Sequence, residues 1–179
     1  MAPVNNNTTW VSPRTWTAGE LITASIMNTH VRDQLTALKT PAGGYSIINE
    51  GADYTTTSTS FVDVDATDLI ITFTTGGGDV LLFFTGSAIH SVLTGRIYFD
   101  IHESVSAARL GGDDGLLEVA ISNTSSVVNA TFCYRAVGLT AVSHAFKVQW
   151  KTSAATATLY AGAGTANHDV HPTFFGFEI

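Results

Sequence analysis

The sequence predicts a mainly β protein, an antiparallel jelly roll or β-sandwich, with an extended N-terminal arm and a short N-terminal α-helix in front of it. Three observations carry this. From Tyr45 onward, apolar and polar residues alternate with period two, the pattern of strands with one buried face. Glycine-rich clusters separate the runs, as turns between short strands require. Helical spacing is confined to a stretch within residues 15–39. The division that follows is an arm and attachment helix over residues 1–44 and a β domain over residues 45–179.

Taken in order, residues 1–14 are polar and broken by Pro3 and Pro13, which favours extended backbone. Trp10 and Trp16 stand out there, because large aromatic rings in a weakly structured arm need a surface to pack on. Two helix starts are available: the Thr17-x-x-Glu20 capping-box pattern and Thr23 as N-cap. Ala24, Met27, Val31, Leu35 and Leu38 follow at spacings of three and four and form one apolar stripe, with Asn28, Arg32, Asp33 and Gln34 off it. Thr40-Pro41 and Gly43-Gly44 stop the helix. A helix of about four turns is marginal alone in water, so it has to pack on its own domain, on symmetry mates or on a larger assembly.

The strands come next. Leu69, Ile71 and Phe73 alternate with Thr72 and Thr74, and Gly76-Gly77-Gly78-Asp79 turns the chain. Residues 80–84 are apolar on both faces, as in a central strand. Ile97, Phe99 and Ile101 alternate with Arg96, Tyr98, Asp100 and His102, and residues 111–115 form a Gly-Asp turn. Phe132, Tyr134 and Ala136 alternate with Thr131, Cys133 and Arg135. Phe146, Val148 and Trp150 alternate with Lys147, Gln149 and Lys151. Residues 155–161 and 174–179 complete eight to ten short strands.

Composition bounds the function. Charged residues make up 13% of the chain and hydrophobic residues 45%, which suits a sheet-rich protein that hides surface in an oligomer. A net charge of −7 with eight scattered basic residues argues against a nucleic-acid partner. The N-terminus has neither the basic start nor the apolar core of a signal peptide, and no apolar run nears the roughly 18 residues of a membrane span. The expectation is a protein made in the cytoplasm and not inserted in a membrane. On that reading the N-x-Ser/Thr triplets at Asn6, Asn7, Asn123 and Asn129 carry little weight as glycosylation sites.

Candidate chemistry is sparse. Cys133 is the single cysteine and, in a strand-like run, reads as a buried inert thiol. His168-Asp169-Val170-His171 has metal-ligating residue types, but no second cluster of known spacing supports it. Asp100, His102 and Glu103 read as a solvated strand face, with Glu103 pointing the other way. Asp113 and Asp114 lack the spacing of a calcium loop. No nucleophile elbow, phosphate loop, dinucleotide fingerprint or zinc-protease helix motif occurs. The expectation is no enzyme activity, no cofactor and no metal.

Two segments carry a resemblance. Residues 16–38, WTAGELITASIMNTHVRDQLTAL, resemble a stretch recurrent near the N-termini of structural proteins of tailed bacteriophages. Trp16, Gly19, Glu20, Thr23, Ala24, Met27, Asn28, Val31, Arg32, Asp33 and Leu35 fit that pattern. Residues 138–153, GLTAVSHAFKVQWKTS, are similar to jelly-roll domains of phage virions, which share the architecture of the trimeric tumour necrosis factor and complement globular heads. Those domains commonly have a glycine where this chain has Val142. The resemblance implies a homotrimeric virion surface protein, a capsid decoration or head fibre, with phage capsid or tail proteins as partners. On this reading Trp10, Trp16, Met27, Val31, Leu35 and Leu38 attach the particle. The alternative it implies is a tail-fibre or receptor-binding protein, or a carbohydrate-binding module, contacting a host-surface glycan. The ligand-facing loops would then hold Asp113, Asp114, His168 and His171, and the exposed aromatics would be Tyr54, Tyr98, Tyr134 and Tyr160.

Overall fold

Alternating runs become paired strands wherever one face can be buried, and the longest runs here form the spine of two facing sheets. The computed structural model describes the backbone of residues 4–6 and residues 14–48, 51–124, 126–164 and 169–179. Among them the strands are β1 (Val4–Asn6), β2 (Gly43–Ile47), β3 (Tyr54–Thr56), β4 (Val62–Asp63), β5 (Ile70–Thr74), β6 (Gly78–His90), β7 (Arg96–Glu103), β8 (Ala108–Arg109), β9 (Leu117–Ala120), β10 (Val128–Leu139), β11 (Ser143–Thr152), β12 (Ala157–Leu159) and β13 (Thr173–Glu178).

All pairings are antiparallel. The first sheet centres on β6, which pairs β10 on one edge and β13 then β12 along the other; β2 and β1 extend it beyond β13, and β3 beyond β12. The second centres on β11, flanked by β5 and β4 on one side and β7 on the other, with β9 and β8 beyond β7. The chain crosses between sheets at β3–β4, β5–β6, β6–β7, β9–β10, β10–β11 and β11–β12, so neither sheet is a simple meander. The result is the antiparallel jelly-roll sandwich that the alternation predicts.

The core lies between the sheets. Leu82, Phe84, Phe132 and Phe174 from the first meet Phe73, Phe99, Ile101, Phe146, Val148 and Trp150 from the second. Phe84 packs on Phe99 at 5.3 Å between ring centroids and Phe99 on Trp150 at 6.2 Å, a chain of rings that spans the sandwich. Close approach sets some strand partners. A Cβ on Gly43 would lie 2.5 Å from Gly176 O and 3.0 Å from Phe177 Cα, so β2 carries no side chain where it faces Phe177 of β13.

The helical segment runs from α1 (Ala24–Met27) through a π-helical turn (Asn28–Arg32) to α2 (Asp33–Lys39). Thr23 is the N-cap, accepting a hydrogen bond from Ile26 N at 3.3 Å. The Thr17/Glu20 pair instead closes a separate turn ahead of the helix, with Glu20 N donating to Thr17 O at 3.1 Å. The helix ends at Thr40, as Pro41 requires. The arm is not wholly unpaired, since β1 is in register with β2, Val4 opposite Tyr45.

Candidate functional site

The predicted stripe of the helix is left largely exposed, with Leu38 bordering the β domain. Met27 is 42% exposed, Val31 38%, Leu35 61% and Leu38 66%, while the helix residues that are buried are Gln34 and Ala37. The inward face therefore lies beside the stripe, where the small Ala37 shares a groove with Ala42 and Phe177. Leu38 and Ile179 form the open lip of that groove, about 420 Å³ in volume. Trp16 is half exposed, set edge-on to the His30 ring at 6.5 Å with the Arg14 guanidinium 5.3 Å above it. Trp10 lies outside the described residues.

The groove continues onto the outer face of the β6 sheet. Cross-strand register places Cys133, Phe83, Phe175 and Tyr45 in one row across β10, β6, β13 and β2. The next row is Arg135, Leu81, Phe177 and Gly43. Phe83 and Phe175 stack at 5.0 Å with planes 8° apart, and Tyr45 beside them is 40% exposed. Within the described chain these rows are only partly covered: Thr40 and Pro41 border Phe175 and Phe177, and Leu81, Phe83, Phe175 and Phe177 are half-buried. Cys133 is exposed, which corrects the expectation of a buried thiol: the core side of β10 is taken by Ala130, Phe132 and Ala136, so alternation turns Cys133 outward.

The outer face of the β11 sheet is different. A polar cleft of about 600 Å³ is lined by Thr59, Ser60, Phe61, His102, Arg109 and Gln149, with Asp113 and Lys151 at its rim. Arg109 Nη1 donates to Asp100 Oδ2 at 3.1 Å and to Gly112 O at 2.9 Å, and its guanidinium lies 4.3 Å from the Phe61 ring centre. Lys151 Nζ lies 5.0 Å from the Phe61 ring and 4.8 Å from Tyr98, and donates to Asp113 O at 2.6 Å and Asp114 Oδ1 at 3.2 Å. Gly115, at φ 76°, lets the 111–115 loop close on this framework, since a Cβ there would sit 2.5 Å from Phe99 O.

Asp100 is fully buried, not on a solvated face as its alternation suggests. The 111–115 loop folds over it, and Gly111 N and Ile101 N donate to Oδ1 at 2.9 and 2.8 Å. Burial pushes its carboxyl above the usual range, against the pull of those donors and Arg109. Glu103 does point the other way, into a buried pair with His144 at 2.8 Å. Burial alone would raise its pKa. Hydrogen bonds from Ser106 N, Val105 N and the His144 ring outweigh that and lower it to about 2. The other ring nitrogen of His144 lies 2.9 Å from Thr140 O, which ties the β10–β11 turn to this cluster. The turn needs no positive φ at Val142, whose N instead donates to Thr140 O at 2.9 Å.

The structure does not bring the predicted loop residues into one site. Asp113 lines the cleft and Asp114 pairs with Lys151 beside it, while His171 is an exposed residue 3.9 Å from Asp169, and His168 lies outside the described residues. Among the described residues no group of three His, Cys, Asp or Glu side chains is placed to hold a metal ion. The four tyrosines do not share a face: Tyr160 is buried, Tyr54 donates to Asp65 at 2.9 Å, Tyr134 packs on the core and Tyr98 lies under Lys151. Sequence reasoning missed Phe61, Arg109 and His144. Phe61 sits in a run with no clear alternation, Arg109 is engaged by Asp100 across the β7–β8 turn, and the partner of His144 comes from a strand 41 residues away. No helix among the described residues is long and apolar enough to cross a membrane.

No protein-family profile matches the chain, and no curated protein matches it by sequence. Among solved structures it is similar to Eiger TNF from S. frugiperda, with 11% identity over 76% of this chain and 92% of that one at a TM-score of 0.44. It is also similar to dimeric latent PorU from Porphyromonas gingivalis, with 9% identity, 75% of this chain, 12% of that one and a TM-score of 0.40. A third likeness is to the structure of infectious bursal disease virus Gt strain, with 12% identity, 75% of this chain, 37% of that one and a TM-score of 0.36. The sandwich assignment itself rests on the strand pairings.

Proposed function

We propose that the chain is a non-enzymatic surface protein of a tailed-phage virion, a homotrimer fixed to the particle by its arm and helix. One observation carries the reading: Met27, Val31, Leu35 and Leu38 of the helix are all exposed, so its own domain does not bury that stripe. A marginal helix with an outward apolar stripe gains its stability on docking. The phage-like run over residues 16–38 supports the virion as what it docks on. The apolar rows on the outer face of the β6 sheet support self-association, because a surface of stacked Phe83 and Phe175 with Tyr45 beside them is covered in an oligomer. Many copies on one particle would add weak contacts into firm attachment. The protein would be made in the host cytoplasm and carried on the virion surface, as a capsid decoration or head fibre.

The test uses the exposed stripe. Leu35→Asp and Leu38→Asp alter residues that are more than half exposed, so the fold is expected to stand. Purified variant and parent are mixed with virions assembled without the chain and sedimented. The parent co-sediments and the variants stay in the supernatant. Variants that sediment as well as the parent would remove the helix as the anchor.

A further inference from the structure

We infer that the polar cleft on the outer face of the β11 sheet binds a saccharide unit that carries a carboxylate, held by the free edge of Arg109. The inference does not depend on particle attachment, since the cleft and the helix stripe share no residue.

Arg109 is already held in place. Nη1 is taken by Asp100 Oδ2 and Gly112 O, and the Phe61 ring supports the guanidinium plane at 4.3 Å. Asp100 is in turn fixed by Gly111 N and Ile101 N, so the whole stack is rigid. Nε and Nη2 have no hydrogen-bond partner among the described residues. Those two N–H groups form the parallel fork that matches a carboxylate, and a fork immobilised beforehand loses little freedom on binding.

Around that fork the cleft offers further unengaged polar atoms. Both ring nitrogens of His102, Oε1 of Gln149 and the side-chain hydroxyls of Thr59 and Ser60 have no partner among the described residues. Gln149 is oriented by Nε2 donating to Asp63 at 2.7 Å, which leaves its carbonyl oxygen for a ligand hydroxyl. Lys151 is pinned over Phe61 and Tyr98. A planar amide, an imidazole and two hydroxyls beside a charged fork read a ligand surface made of hydroxyls with one acid group. Apart from Phe61, which carries two cations, the lining has only Ala107 and Ala108 as apolar side chains. A peptide partner, which needs apolar slots for its anchors, finds little here.

The test is titration of the full-length protein with galacturonic acid, galactose and acetate, followed by amide and side-chain NMR shifts. Galacturonic acid is expected to give saturable shifts mapping to His102, Arg109 and Gln149. Galactose and acetate should each bind roughly tenfold or more weakly, since each lacks one half of the recognised chemistry. Arg109→Lys keeps a cation for Asp100 and removes the fork, and is expected to weaken galacturonic acid roughly tenfold. Gln149→Ala should weaken it several-fold, and decides the matter if Arg109→Lys fails to fold. Equal binding of galactose overturns the carboxylate, equal binding of acetate overturns the sugar, and no saturable shift or binding unchanged in the folded variants overturns the site.

Discussion

The outer face of the β6 sheet presents Tyr45, Leu81, Phe83, Phe175 and Phe177, whereas the outer face of the β11 sheet presents Tyr98, His102, Lys147, Gln149 and Lys151. Both faces come from long antiparallel strands whose inner sides fill the same core. The difference lies only in the residues at alternate positions, and it gives the two faces different jobs. An apolar face of stacked rings lowers its free energy by being covered. A face of oriented polar groups, with cations resting on aromatic rings, is stable while wet and ready for a polar ligand. In a chain with eight Lys and Arg, placing Lys147, Lys151 and Arg109 on the second face is what keeps the first nearly free of charge.

The largest expected effect comes from charging the apolar face. Phe83→Asp or Phe175→Asp puts a carboxylate in the middle of the row while leaving the buried Phe84 and Phe174 untouched. Light scattering is expected to show the proposed trimer falling to the 18.9 kDa monomer with its circular dichroism retained. If both variants keep the parent's mass, the two faces do not differ in the way claimed.

Acid should separate the sheets next, because the buried charges belong to the β11 sheet. Glu103 titrates near 2 in the folded chain against an ordinary 4.5, so its contribution is complete above the ordinary value and fades as pH falls from there toward 2. The stability lost over that window is on the order of 3 kcal/mol. Asp100 works in the opposite sense, since burial raises its pKa and protonation relieves part of the desolvation cost. Denaturant unfolding of the parent and Glu103→Gln at several pH values checks this. The variant should lose the acid slope, and an unchanged slope would place the acid lability elsewhere.

Cys133 provides a smaller and more local probe. It stands in the row with Phe83 and is exposed in the single chain. If the β6 face is covered by other copies, maleimide labelling of the parent should be about tenfold slower than labelling of monomeric Phe175→Asp, because access controls the reaction. Equal rates would mean that Cys133 lies outside the covered area.

Much of this was legible in the sequence and some was not, for physical reasons. The strands were readable because burial on one side imposes period two: Ile97, Phe99 and Ile101, and Phe146, Val148 and Trp150, are buried as the alternation predicts. The helix limits were readable because Thr23 and Pro41 act within one turn. Alternation identifies the two sides of a strand but not which outward side a loop will cover. That is why Asp100 reads as solvated, although residues 111–115 bury it, whereas Cys133 follows the alternation outward and reads as buried only because a lone thiol in a strand is usually a core residue. The cleft was not legible because its parts, Phe61, His102, Arg109 and Gln149, come from four segments joined only by cross-strand register. His144 and Glu103 are likewise 41 residues apart and meet only because β11 pairs with β7.

The smallest effect is the one that confines assembly to a single face. His102 is half-buried on β7, lines the cleft and has no hydrogen-bond partner among the described residues. His102→Ala therefore removes no internal hydrogen bond and opens no core cavity, and stability is expected to move by no more than about 0.5 kcal/mol. Its light-scattering mass should equal that of the parent, because a ring on the polar face contributes nothing to covering the apolar one. A variant that kept its stability but lost the parent's mass would show that copies meet through the β11 sheet as well. The contrast between the two faces would then describe two interfaces, and the cleft would lie between copies.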